Sequence, residues 1–108
     1  MDGDTVRVSA QVWIDQAVSV SVRIADVDAP ELYRPKCEAE KSRAYAARAF
    51  VSDFLGDGPV TLRDIRRGKY AGRVVARIEN EEGRDLGAAL AAADHAIYGE
   101  RGQWCGQE

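Results

Sequence analysis

Cysteine, histidine and methionine are scarce in this 108-residue chain: two, one and one. The cysteines, Cys37 and Cys105, lack metal-ligand spacing, which discounts zinc. They are either one disulfide closing most of the chain or two free thiols, and the compartment stays open with them. The lone histidine, His95, has no second ligand type near it in sequence and reads as structural or exposed. No apolar run reaches the roughly 18 residues of a membrane span. The opening Met-Asp-Gly-Asp does not read as a signal peptide. An excess of basic charge is missing too. Lys and Arg total 15 against 18 Asp and Glu, a net charge of −3. That argues against a chain whose main business is non-specific nucleic-acid binding, since such domains are usually basic.

What is present suits one globular domain: 45% apolar and 31% charged residues, with no low-complexity tract. Thr5 to Ile14 alternates, with Val6, Val8, Ala10, Val12 and Ile14 on one side. A turn at Asp15-Gln16 leads into a return strand, Ala17 to Ala25, and the pair predicts a long, coiled hairpin. The period then changes. Ala39, Ala46, Ala47, Phe50, Val51, Phe54 and Leu55 predict an amphipathic helix over Glu38–Leu55, stopped by Gly56. Val60–Ile65 and Arg73–Glu79 read as further strands, joined by the basic segment Arg66–Gly72. Asp85 is the expected N-cap of a short helix, Leu86–Ala93, with Leu86, Ala89, Leu90 and Ala93 inward. The glycine-rich tail from Tyr98 is expected to be pinned by Tyr98 and Trp104.

The chemistry-bearing residues cluster in two loops. Regular alternation would carry Asp26 and Asp28 onto the apolar face, so the second strand must bulge or stop near Ala25. Pro30 ends any ladder there. The strand thus runs out into a loop carrying Asp28 and Glu31, close to Arg23. A second acidic loop, Asp2-Gly3-Asp4-Thr5, precedes the first strand. Six cations, Arg63, Arg66, Arg67, Lys69, Arg73 and Arg77, then follow, opposed only by Asp64. They form either a solvated hairpin or a phosphate-facing ridge.

Asp-Gly-Asp-Thr, then Val-Arg-Ile and Asp-Ala-Pro-Glu, then Lys69-Tyr70-Ala71-Gly72-Arg73, in this order and spacing, resembles the thermonuclease (staphylococcal nuclease-like) family. The resemblance implies a mainly β, α+β fold: an OB-fold-like Greek-key barrel with a helix across it. It implies calcium as cofactor, held by Asp4, Asp28 and the main-chain oxygen of Ala29. Glu31 matches the glutamate that orients or deprotonates the attacking water. Arg23 and Arg73 match the arginines that hold the phosphate, and Lys69 and Tyr70 match residues contacting a terminal phosphate. The implied activity is calcium-dependent hydrolysis of DNA and RNA with little sequence preference.

The chain departs from the family pattern in three places. Ala29 stands where threonine is frequent. Ala71 is an extra residue before Gly-Arg. The strand that precedes the first acidic loop in the family is absent. That absence predicts an exposed sheet edge and a homodimer with a β interface near Thr5–Ile14. The competing readings are a catalytically silent OB-fold module that binds nucleic acid or a protein, and a domain inactive as a monomer. Similar family members are often exported; this sequence leaves location open.

Overall fold

The computed structural model of the chain describes residues 4–32, 34–69, 73–99 and 104–105. The alternating run becomes β1 (Thr5–Trp13) and β2 (Gln16–Ile24), an antiparallel hairpin turning at Ile14-Asp15. Asp15 takes a φ of 61°, a left-handed conformation that aspartate tolerates better than most residues. Asp26 does the same at a φ of 68°, ending β2 before its aspartates reach the apolar face. The chain re-enters as the short β3 (Val27–Asp28). The 18-residue α1 (Glu38–Leu55) has the predicted bounds. Gly56, at a φ of 60°, stops it and donates its N–H to Ser52 O at 3.0 Å. Then come β4 (Thr61–Arg67), β5 (Arg73–Glu79), α2 (Leu86–Ala92) and β6 (Ile97–Tyr98). Asp85 caps α2 as expected, accepting from Ala88 N at 2.8 Å.

The four long strands form one sheet in the order β1-β2-β5-β4, and β3 pairs with β6. β2 and β5 are parallel, Ser21 opposite Arg73 through Ile24 opposite Ala76. The long excursion through α1 and β4 supplies the crossover that parallel neighbours require. The architecture is therefore α+β with a mixed sheet. Among the described residues β1 and β4 are its two ends and do not pair with each other.

Val22, Ile24, Val27, Ala76, Ile78, Leu86 and Leu90 form the buried centre. Phe50 and Phe54 pack against it as anchors, their rings stacked 5.9 Å apart. His95 lies against Phe50 at 4.9 Å and its N–H donates to Leu90 O, a structural placement. The helical stripe is rotated from the expected one. Glu40, Ala44 and Ala47 are buried, whereas Ala39 and Ala46 are exposed, as is Ala93 after α2. A buried carboxylate on α1 has pulled the stripe towards the loop that it binds. The hairpin is corrected likewise. Val6 and Val8 pack on the core, but Val12 and Ile14 do not. The distal half has apolar residues on a face that no described element covers.

Candidate functional site

The site grows from the carboxyl end of β2. Arg23, two residues before the positive-φ turn, sits on the polar face opposite Thr5 of β1. Its Nη1 donates to Val27 O at 2.9 Å and lies 3.1 Å from Asp4 Oδ2; its Nη2 is 3.9 Å from Asp28 Oδ1. Asp4 is 5% exposed and accepts the Ala29 N–H at 3.2 Å. It thereby ties the N-terminal loop to the Asp-Ala-Pro-Glu loop. The Thr5 hydroxyl donates to Asp4 Oδ1 and accepts from Arg73 Nη2, both at 3.3 Å. Arg73 is thus linked to Arg23 through Thr5 and Asp4. Gly68 makes this placement possible. It donates its N–H to Arg73 O, and a β-carbon there would collide with that same carbonyl.

Asp28, Ala29, Glu31 and Arg23 line one open groove of about 800 Å³, with Arg66 and Trp104 on its other walls. The structure therefore brings together Asp4, Arg23, Asp28, Ala29 and Glu31, and joins Arg73 to them through hydrogen bonds. Lys69 is exposed and does not line this groove. Tyr70 lies outside the described residues.

Three residues line the groove that the sequence did not place at this site: Arg66, Trp104 and Glu40. Arg66 arrives there by a β-bulge. Arg63 pairs with Arg77, but Arg66 pairs with Val75, so β4 carries one extra residue between them, where Asp64 has a φ of 56°. Since Val75 also pairs with Arg23, Arg66 stands two strands from Arg23 in the same cross-sheet row, about 10 Å away at the usual strand spacing. Arg66 makes no ion pair among the described residues. Arg63 by contrast pairs with Glu79, and Arg77 with Asp64 and Asp85. The hydrogen bond that Arg77 donates to Asp64 and the charge of Asp85 raise the pKa of Arg77.

Trp104 is held by a bond that the sequence left open: Cys37 and Cys105 form a disulfide. Arg43 lies 4.9 Å over the indole ring, and the indole N–H is buried without a partner among the described residues.

Glu40 lies in the first turn of α1. It is 4% exposed, and its carboxylate accepts the N–H groups of Glu31 at 2.9 Å and Lys36 at 2.7 Å. Its place four residues before Ala44 and seven before Ala47, on one helical face, was the available signal. Glu40 braces the whole loop that presents Glu31. Glu40→Ala is expected to cost about 2–3 kcal/mol, because two part-buried N–H donors lose a charged acceptor. Chemical denaturation measures the loss, and amide exchange should quicken at Glu31 and Lys36 first. Unchanged exchange there would show that the loop holds itself.

The donor chemistry at this site is all oxygen: a buried carboxylate, a half-buried one and main-chain carbonyls. That is the set hard cations such as calcium take. Among the described residues no group of three or more acidic, histidine or cysteine side chains is poised around one point. An ion here would draw its remaining ligands from the main chain and water. The chain matches no protein-family model and no curated protein. No helix among the described residues is long and apolar enough to cross a membrane.

Proposed function

We propose that this domain is a thermonuclease-like, calcium-dependent phosphodiesterase acting on DNA and RNA, built on an open OB-type sheet. One observation carries the reading. Arg23, Asp28 and Glu31 converge on a groove that also receives Arg66, with buried Asp4 ion-paired to Arg23 and Arg73 hydrogen-bonded into the same cluster.

Asp4, Asp28 and the Ala29 carbonyl are the residues that would hold calcium, which when bound supplies a Lewis acid for the phosphate. The chain's own groups do the rest. Arg23 and Arg73 neutralise the phosphate with planar, permanently charged forks. Glu31 accepts a proton from the attacking water, whose oxygen bonds phosphorus as the ester P–O bond breaks. Arg73 stabilises the leaving oxygen until solvent protonates it. Arg66 binds a flanking phosphate and the buried indole N–H of Trp104 is a further donor.

The deciding assay follows cleavage of plasmid DNA and single-stranded RNA with calcium and with excess chelator. Calcium should be required, and Asp28→Asn should remove both cleavage and the thermal stabilisation that calcium confers. Cleavage that persists in chelator rejects the metal site. A second reading has its own support, because Arg23 is already engaged by two carboxylates and the Val27 carbonyl. Such a cluster also suits a silent module that binds nucleic acid through Arg66 and Arg73. Binding without cleavage in the same assay would favour it.

A further inference from the structure

We propose that β1 pairs edge to edge with β1 of a second copy about a twofold axis, and that the Val12–Asp15 tip of each hairpin seats in a groove on the other copy. The observations are independent of the candidate catalytic site.

β1 ends the sheet with nine residues of strand edge that no described strand pairs. Natural edges are blunted by proline, lysine or inward-pointing charge. β1 has none of these, and Arg7 is its one charged residue. Beside this edge lies a groove of about 490 Å³, floored by Val6 and Val8 of β1, Val51 and Leu55 of α1, and Val60. Arg7 and Arg48 line it, and no acid does. At the far end of the same hairpin Val12, Trp13, Ile14 and Val18 are 57%, 70%, 75% and 45% exposed. Asp15 follows them at the turn. Groove and tip are thus complementary: an apolar floor with two cations, and an apolar tip with one acid.

Antiparallel pairing is the geometry that joins them reciprocally. With the axis at Ser9, Val6 of one copy stands opposite Val12 of the other, Val8 opposite Ala10, and Arg7 opposite the neutral Gln11. Val12 and Trp13 of the tip then lie opposite Val6 and Thr5, at the near end of the groove. Twofold symmetry buries both tips and both grooves at once, and closes the assembly at two copies instead of a fibre. Dissociation in roughly the micromolar range is expected.

Light scattering after size exclusion, on the full chain from about 1 to 500 µM, reads the state. A mass moving from one copy to two across that range is expected. Ile14→Lys changes an exposed side chain, so the monomer should remain folded by circular dichroism while dissociation weakens at least about 10-fold. Arg48→Ala should weaken it less and reduce its salt dependence. Ile65→Lys, at a 57% exposed apolar residue on β4, should leave the dimer intact. In the dimer, alternate β1 amides should exchange slowly, and in Ile14→Lys quickly. A monomer throughout the range overturns the proposal. So does a dimer that Ile65→Lys breaks and Ile14→Lys does not.

Discussion

Arg23→Lys is expected to lower the cleavage rate by about 10²-fold or more, with the domain still folded. The guanidinium reaches Asp4, Asp28 and the Val27 carbonyl from one planar group. Lysine keeps the charge that Asp4 requires, so the buried carboxylate is not left uncompensated. It cannot keep the fork. A point charge can satisfy Asp4 or face a phosphate, but it cannot hold the paired geometry on which transition-state stabilisation depends. The loss should therefore fall on kcat, while the melting temperature moves little. Arg66→Ala should behave differently. On the proposed reading Arg66 would contact a flanking phosphate in ground and transition state alike, so KM should rise and kcat should hold. Arg23→Lys within about threefold of the parent rate would take Arg23 out of the reaction.

This contrast between two arginines shows what the sequence could and could not tell. Arg23 was legible because an unbroken alternation from Val18 to Ile24 fixes its face, and the Asp-Ala-Pro-Glu run fixes where the strand must stop. Helix α1 was legible to the residue, because the change from period 2 to period 3.6 and Gly56 bracket it. Arg66 was not legible. The bulge at Asp64 changes the parity of β4, and an uninterrupted strand would have put Arg66 on the opposite face. The parallel β2–β5 pairing and the two-residue β6 are set by contacts distant in sequence, which local periodicity does not record. Val12 and Ile14 show the limit from the other side. Their alternation is as regular as that of Val6 and Val8, yet α1 reaches only the inner half of the hairpin. Pattern gives the face of a strand, and tertiary reach decides whether that face is covered. The acidic loops were legible as a pair, but Arg23 lies between their carboxylates, an arrangement only the turn at Asp26 produces.

Removing the disulfide should produce the largest change in stability. Cys37 and Cys105 are 68 residues apart, so the bond closes most of the described chain. Loop-closure entropy for that length gives about 4 kcal/mol. A domain of this size has about 5–15 kcal/mol in all. The doubly substituted Cys37→Ser, Cys105→Ser protein should melt about 20 °C lower, since each kcal/mol moves a small domain by about 4–8 °C. Serine is chosen at residue 37 because that position is the N-cap of α1, and a hydroxyl preserves the cap. The measured loss then belongs to the cross-link and not to a frayed helix. Function should follow by a separate route. The bond fixes Cys105 next to Trp104, and Trp104 is one wall of the groove that Glu31 and Arg66 share. Without it the described part of the tail from β6 onward is held by its pairing with β3, the Gly99 N–H to Asp26 O bond and the Arg43–indole contact. Trp104 fluorescence should shift to the red on reduction, whereas Trp13, already 70% exposed, contributes a constant background. Below the lowered melting temperature, KM for a polynucleotide should rise as the Trp104 wall loosens. A reduced protein that melts within a few degrees of the oxidised one would mean that the packing of Trp104 and β6, not the cross-link, already holds the tail over the site.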